Sequence, residues 1–459
     1  MTDWRICLDF GTALSKAAAA PNGDLPEARA GARPLAIGSA GGDDTAFLAR
    51  CALFLTDAQA VFGRRAFLEA ERAAHQRREA LLSFKTILAA PDLEAALALK
   101  APRAVDPEGR FTRRDLVVAY LAWLLELVSE AAARDEAIGP GGGASARLRY
   151  TRPGWRADAV GQSHRVVTRL FDEADAVRHL LGPALLAEEG VGLNALGVAL
   201  ERARIAVGPS RIDACVFEAV AAATCHLAPQ TPSEALTAGA SKGSRGDAQA
   251  WLVFDMGAGT SDLAAVTIGP DGVHEVNEAR ATLSAAGDHL DRILLNQILK
   301  HARKAKSPAQ QSDLWRRTLL SVRERKEGLF IEGRASLRYE GQVIAVRRAD
   351  VEGDADFKVF RKALEAAFKE SLDAAALRAA EIGAASLGVA LAGGGSSLPF
   401  VREMARAART KRKVAVHVAP AVPAWATTGA FAGQLAPLFP QTSIALGGAI
   451  APSSLLVSL

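Results

Sequence analysis

The chain has 459 residues, 49% hydrophobic and 23% charged, with a formal net charge of +4. That is about three times a common single-domain length, so two lobes or more are expected, each with apolar material for its own core. The small charge excess excludes any composition-based case for nucleic acid.

Four cysteines, Cys7, Cys51, Cys215 and Cys225, show no CxxC spacing. They read as buried thiols of a reducing compartment rather than a disulfide frame or a metal site. The start "MTDWRICLDFG" lacks the charged and apolar regions of a signal peptide. No eighteen-residue stretch is uninterruptedly apolar, so no membrane span is predicted and the expected location is cytoplasmic. The basic run "RTKRKVAV" reads as a solvated helix end, and the high Ala and Arg content reads as genomic base bias.

Residues 4–20 predict a strand, a tight turn and a second strand. "RCALFLTDAQAVFGRRAFLEA" predicts another hairpin and then a helix, and Glu69 to Leu88 continues in helical pattern. Thr112 to Ala137 has apolar residues at helical spacing, with Thr112 and Asp115 as an N-cap and first-turn acid. "GPGGGAS" is expected to end that helix as a flexible loop. "ARLRYTRPGW" reads as a strand stopped by Pro153, followed by helix to about Arg204. "IDACVFEAVAAATCHLA" begins as a strand and becomes a small-residue helix. The Pro/Gly/Ser-rich stretch from Pro229 to Gln249 reads as a connection. The plan then repeats: strand, turn and strand over 251–268, a third strand near "HEVNEARATL", and helices to about 330. Strands and a charged helix follow to about 384. "SLGVALAGGGSSLPFVREMARAAR" reads as strand, glycine turn, and helix with Pro399 in its first turn.

Two turns share a chemistry. "FDMGAGTSDLAAVTI" breaks an apolar strand at Asp255, Gly257, Gly259 and Thr260, and "RICLDFGTALSKAAAA" offers Asp9, Gly11 and Thr12. Glycines let backbone N–H groups approach a phosphate closely, and a threonine hydroxyl adds a donor. Carboxylates beside phosphate make sense with a hard cation between, held through its waters. Asp9 and Asp255 therefore read as magnesium-orienting acids, one from each lobe. Either turn alone reads as an ordinary hairpin with a turn acid. The two together with the third glycine turn at 393–395 favour a nucleotide, although no GxxxxGK[ST] and no GxGxxG after the first strand is present.

"LDFGTALSKAA", "VFDMGAGTSDLAAVTI" and "ALAGGGSSLPFVREM" resemble the two phosphate motifs and the adenosine motif of the actin-like ATPase superfamily. "FEAVAAATCHLA", "LLSFKTIL", "LSAAGDHLDRILLNQIL", "SVRERKEGLF" and "TTGAFAGQLA" resemble further segments of its seventy-kilodalton heat-shock chaperone (Hsp70) branch, in family order, from residue 4 to about 436. The resemblance implies an α/β, two-lobed actin-like ATPase fold. Each lobe would be a mixed five-stranded sheet flanked by helices, ribonuclease H-like, with smaller outer subdomains. Lobe I would take residues 1–228 with a returning helix at about 420–440 and an outer subdomain at about 45–110. A flexible connection would span 229–250, lobe II 251–419 with an outer subdomain at about 285–384, and an apolar tail 441–459.

The implied ligands are ATP or ADP with magnesium, the metal held through water by Asp9 and Asp255. Lys85 and Glu218 would position the attacking water. Gly11, Thr12, Ala13, Gly257, Ala258, Gly259 and Thr260 would contact phosphates. Gly287, Asp288, Lys326, Gly394, Gly395 and Ser396 would surround the nucleoside. Lysine and carboxylate beside a metal suit phosphoryl transfer, which is mostly positioning and charge neutralisation. Read blandly, Lys85 is a surface lysine, Glu218 caps its helix, and Asp262 is either a proton acceptor or a holder of the turn.

Several positions depart from the pattern. Ser397 stands where the family places an adenine-stacking arginine, and Arg323 where it places an acid. Ala219 replaces a switch proline, and Gly161 an arginine, with Arg165 nearby. No peptide-binding domain is expected after the nucleotide domain, and "SSLLVSL" resembles the family's apolar linker, expected to add a strand to a sheet edge. The expected function is an ATP-binding, slowly ATP-hydrolysing chaperone-type protein acting through unidentified protein partners or cochaperones, with no nucleic acid and no membrane. A nucleotide-gated actin-like scaffold or filament and a small-molecule kinase are the competing readings.

Overall fold

The computed structural model describes residues 3–43, 45–73, 76, 78–82, 84–152, 160–205, 208–227, 248–269, 272–319, 321–428 and 433–453. The chain divides into two compact units, Met1–Ser244 with Asp271–His274 and Ala421–Leu459, and Arg245–Pro270 with Glu275–Pro420.

The first unit is built on a six-stranded sheet. Its path runs Ile212–Phe217, Arg147–Arg152, Trp4–Phe10, Leu14–Pro21 and Arg33–Pro34, and Ala49–Arg50 pairs with Leu14–Pro21 off that path. Trp4–Phe10 is antiparallel to Leu14–Pro21 and parallel to Arg147–Arg152, which is parallel to Ile212–Phe217. Alternation along a strand sends neighbouring side chains to opposite faces, and here both faces are covered. Ile6, Leu8, Ala17 and Ala19 join one core with the helix Arg113–Arg134, while Cys7, Ala18 and Ala20 join another with the helix Phe439–Ile450.

The second unit repeats this plan. Its five-stranded sheet is ordered Gly272–Leu283, Ser261–Gly269, Gln249–Met256, Ser386–Ala392 and Ala415–Val418. Gln249–Met256 is antiparallel to Ser261–Gly269 and parallel to Ser386–Ala392, which is parallel to Ala415–Val418. The helix Ala355–Glu381 covers the central hairpin, with Phe368 against Phe254. Smaller sheets lie outside both: Ala52–Leu55 with Gln59–Phe62, Leu81–Leu82 and Val191–Gly192 in the first unit, and the hairpin Arg334–Tyr339 with Gln342–Arg347 in the second. Mixed sheets with flanking helices on this repeated plan give the expected α/β class.

The capping box at Thr112 forms as expected, with Asp115 Oδ2 accepting from the Thr112 N–H at 2.8 Å. The helix it starts, Arg113–Arg134, is long and apolar enough to cross a membrane by length and composition, but 78% of its apolar window is buried inside the structure. It is a core helix. All four cysteines are free and buried.

Three local expectations are corrected. "GPGGGAS" forms the helix Gly139–Ser145 instead of a loop, because its glycines pack: a Cβ on Gly143 would stand 2.9 Å from that of Ala132. The helical reading of Glu69 to Leu88 is interrupted, since the helix Gly63–Arg72 ends and Leu81–Leu82 pairs with Ala52–Leu55 before the helix Phe84–Leu88. Residues from 441 on, expected as a tail, supply most of the buried helix Phe439–Ile450. Pro153, most of the 229–250 connection, residues 429–432 and the 454–459 end of "SSLLVSL" lie outside the described residues.

Candidate functional site

In the first unit the hairpin joining Trp4–Phe10 to Leu14–Pro21 is closed by the Gly11 N–H donating to the Leu14 carbonyl at 3.1 Å. A Cβ at Gly11 would stand 2.7 Å from that carbonyl oxygen, so the turn requires glycine. Thr12 and Ala13 form its tip. Asp9 lies at the strand end, 2% exposed, and is cross-strand partner of Lys16. Lys16 Nζ donates to Asp9 Oδ2 at 3.0 Å and Thr151 Oγ1 to Asp9 Oδ1 at 3.1 Å. Lys16 was not among the residues singled out in the sequence. Counting pairs outward from the turn would have found it, since tight hairpins fix register and opposite residues interact.

Lys85 and Glu218 are brought together. Lys85 lies on the helix Phe84–Leu88 and Glu218 opens the helix Glu218–Thr224, 133 residues later. Lys85 Nζ is 2.8 Å from Glu218 Oε1 and 3.0 Å from Oε2. Both side chains are mostly buried, at 17% and 13% exposure. A lysine gripped across both carboxylate oxygens has little rotamer freedom, so its ammonium is held in place.

In the second unit, Asp255, next to last in its strand, stands opposite Asp262. The Gly257 N–H donates to the Thr260 carbonyl at 3.0 Å, closing the turn that also holds Ala258 and Gly259. The turn is tied to the start of the helix Gly287–His301: the Gly287 N–H donates to the Gly257 carbonyl at 3.2 Å and the Asp288 N–H to the Ala258 carbonyl at 2.8 Å. Asp262 is the holder of the turn. Its Oδ2 accepts from Thr260 Oγ1 at 2.6 Å and its Oδ1 from Thr282 Oγ1 at 2.7 Å.

The glycine turn after Ser386–Ala392 packs on the same place. Gly393 has φ +77°, and a Cβ there would run into the Asp255 carboxylate and stand 2.5 Å from the Met256 carbonyl oxygen. Gly394, Gly395 and Ser396 follow in a short 3-10 turn before the helix Pro399–Arg406, and Ser396 Oγ donates to the Gly393 carbonyl at 2.7 Å. Lys326, on the helix Val322–Glu332, donates to the Gly287 carbonyl at 3.0 Å and pairs with Asp291 at 2.9 Å. Burial pushes the Asp291 carboxyl up, against the opposing pull of Lys326.

The sequence-predicted residues thus divide: Asp9, Gly11, Thr12, Ala13, Lys85 and Glu218 lie in the first unit, the others in the second. Among the described residues, no three His, Cys, Asp or Glu side chains gather as a metal-holding cluster.

Residues 230–434 match the family model described as Hsp70 protein. No curated protein matches the chain. The matched segment holds the Asp255 turn, the Gly287–Lys326 contact and the Gly393 turn. The chain is therefore Hsp70-like over residues 230–434, with the actin-like ATPase fold of that family's nucleotide-binding domain.

Proposed function

We propose that this protein binds ATP with magnesium and hydrolyses it slowly, as a chaperone-type ATPase. Gly11, Thr12 and Ala13 in the first unit, and Gly257, Ala258, Gly259 and Thr260 in the second, are assigned to phosphate. Gly287, Asp288, Lys326, Gly394, Gly395 and Ser396 are assigned to the nucleoside. The observation that best supports the reading is the Lys85–Glu218 ion pair at 2.8 Å. The family resemblance pairs those two residues in function, and a fixed ammonium beside a carboxylate can orient a water and offset phosphate charge.

Asp9 and Asp255 are assigned to magnesium through its waters. Asp9 fits such an indirect role. Each of its oxygens accepts one protein hydrogen bond, and an ionised carboxylate has about four lone-pair sites, so metal-bound waters can still be accepted. The bound cation would supply neutralisation of phosphate charge. The Thr260 hydroxyl is held by Asp262, and its backbone N–H is assigned to phosphate.

ATP turnover of the purified protein, beside Lys85→Ala and Asp255→Ala, tests the assignment. Both substitutions are expected to suppress hydrolysis by at least about 100-fold, the usual scale for losing a preorganised charge. Wild-type turnover in both variants removes the proposed site.

A further inference from the structure

Behind the first-unit turn lies a buried polar cluster that no role above uses. Ser15, Cys51 and Tyr120 are at most 2% exposed. Ser15 Oγ lies 2.7 Å from the Tyr120 hydroxyl and 3.0 Å from Cys51 Sγ, and Cys51 Sγ lies 3.1 Å from the Tyr120 hydroxyl. Cys51 reaches the turn twice: its Sγ donates to the Gly11 carbonyl at 3.2 Å, and its N–H to the Ala13 carbonyl at 2.9 Å. The same Tyr120 ring stacks on Phe84, with centroids 4.0 Å apart and planes 11° from parallel, and Phe84 immediately precedes Lys85.

We infer that Tyr120, on the helix Arg113–Arg134, and Cys51, between the strands Ala49–Arg50 and Ala52–Leu55, are positioning residues, a hub that fixes the Gly11–Ala13 turn and the Lys85 helix in one geometry. The inference rests on the nucleotide reading of that turn and deepens it. One donor assignment satisfies the cluster: the Tyr120 hydroxyl donates to Ser15, the Ser15 hydroxyl to Cys51 Sγ, and the Cys51 S–H to the Gly11 carbonyl. Burial pushes the pKa of both the Cys51 thiol and the Tyr120 hydroxyl up, so each keeps the proton this relay needs. A planar trans peptide sets its N–H opposite its carbonyl. Holding the Gly11 carbonyl inward therefore turns the Thr12 N–H outward, the direction a phosphate donor needs. Cys51 acts here as a hydrogen-bond donor, not a nucleophile, because burial keeps it from forming a thiolate.

Steady-state kinetics with magnesium-ATP and thermal unfolding of four proteins test this: wild type, Cys51→Ala, Cys51→Ser and Tyr120→Phe. Cys51→Ala removes the donor and Cys51→Ser keeps one, while Tyr120→Phe keeps the stack and removes the hydroxyl. Cys51→Ala and Tyr120→Phe are expected to lower kcat roughly ten-fold with KM changed by less than about two-fold, the signature of misplacement rather than lost binding. Cys51→Ser is expected to stay within about three-fold of wild type. A purely structural role would lower melting temperature without this split or rescue. Wild-type kcat in both Cys51→Ala and Tyr120→Phe overturns the inference, as does a Cys51→Ser loss as deep as that of Cys51→Ala. If Cys51→Ala does not fold, the contrast of Cys51→Ser with Tyr120→Phe decides. A wild-type chain that binds no magnesium-ATP refutes the nucleotide reading itself, and this inference with it.

Discussion

Gly393→Ala probes whether the second-unit turns are built as tightly as they look. Gly393 sits at φ +77° and ψ 165°, a region essentially reserved for glycine, and forcing a side chain into it costs about 1–3 kcal/mol. The added Cβ would also press on the Asp255 carboxylate and the Met256 carbonyl, and overpacking a rigid site costs about 1–3 kcal/mol more. The total, about 2–6 kcal/mol, lowers the thermal midpoint of a unit this size by roughly 5–15 °C. Gly395→Ala is the control. Its Cβ would press on Cβ, Cγ and Sδ of the buried Met256, but its φ is not positive, so it carries the overpacking cost of about 1–3 kcal/mol without the backbone cost. Differential scanning calorimetry of wild type and both variants reads the two costs, and trypsin cleavage during the scan reports which unit opens. Because the clash falls on Asp255 itself, any Gly393→Ala protein that does fold should also lose ATP turnover. A Gly393→Ala midpoint equal to wild type, or equal to that of Gly395→Ala, refutes the reasoning.

Lys16→Met should destabilise the first unit by about 3 kcal/mol at neutral pH, since it strips the cation from a buried carboxylate. Adding Asp9→Asn should recover most of that loss, and equal melting of the single and double variants would count against the pair. His226 gives a pH prediction. Burial, with Arg29 beside it, lowers its folded value to about 4, against about 6.5 in the unfolded chain. The folded state thus holds the neutral ring, so its stability is full above about pH 6.5 and falls as pH drops toward 4. The loss at pH 5 is about 2 kcal/mol. His226→Gln should flatten the melting-temperature difference between pH 7.5 and pH 5, and an unchanged difference would assign the acid sensitivity elsewhere.

Legibility in the sequence followed the range of the interaction. The Asp255 and Asp9 turns were readable because acid, glycine and hydroxyl fall within a few residues, and the geometry that requires them is local. The Thr112 cap was readable for the same reason. Lys85 and Glu218 lie 133 residues apart, so no local rule joins them, and only the family resemblance did. Lys16 was within reach, because hairpin register places it opposite Asp9, yet a single lysine after a serine carries no signal until the pairs are counted. The Tyr120–Ser15–Cys51 cluster was beyond reach. It joins three distant segments, and each residue alone looks like ordinary core.

The alanines make the sharper case. A run such as "KAAAA" is what base composition alone would produce, and it lies in the predicted second strand of residues 4–20. In the folded chain Ala17 and Ala19 face the core of Arg113–Arg134, and Ala18 and Ala20 face the helix Phe439–Ile450. That helix comes close through glycines: a Cβ on Gly447 would collide with the Ala221 backbone and one on Gly448 with Cys7. Small residues on both partners let backbones approach, and a closely packed interface has no room for a larger side chain on either. Ala18 and Ala20 are therefore fixed by what returns from more than 400 residues later, while the alternation that sorts them into two faces is plain in the strand itself. The face a residue takes is set locally. The size it must have is set by its distant neighbour, and a uniform alanine run hides that demand.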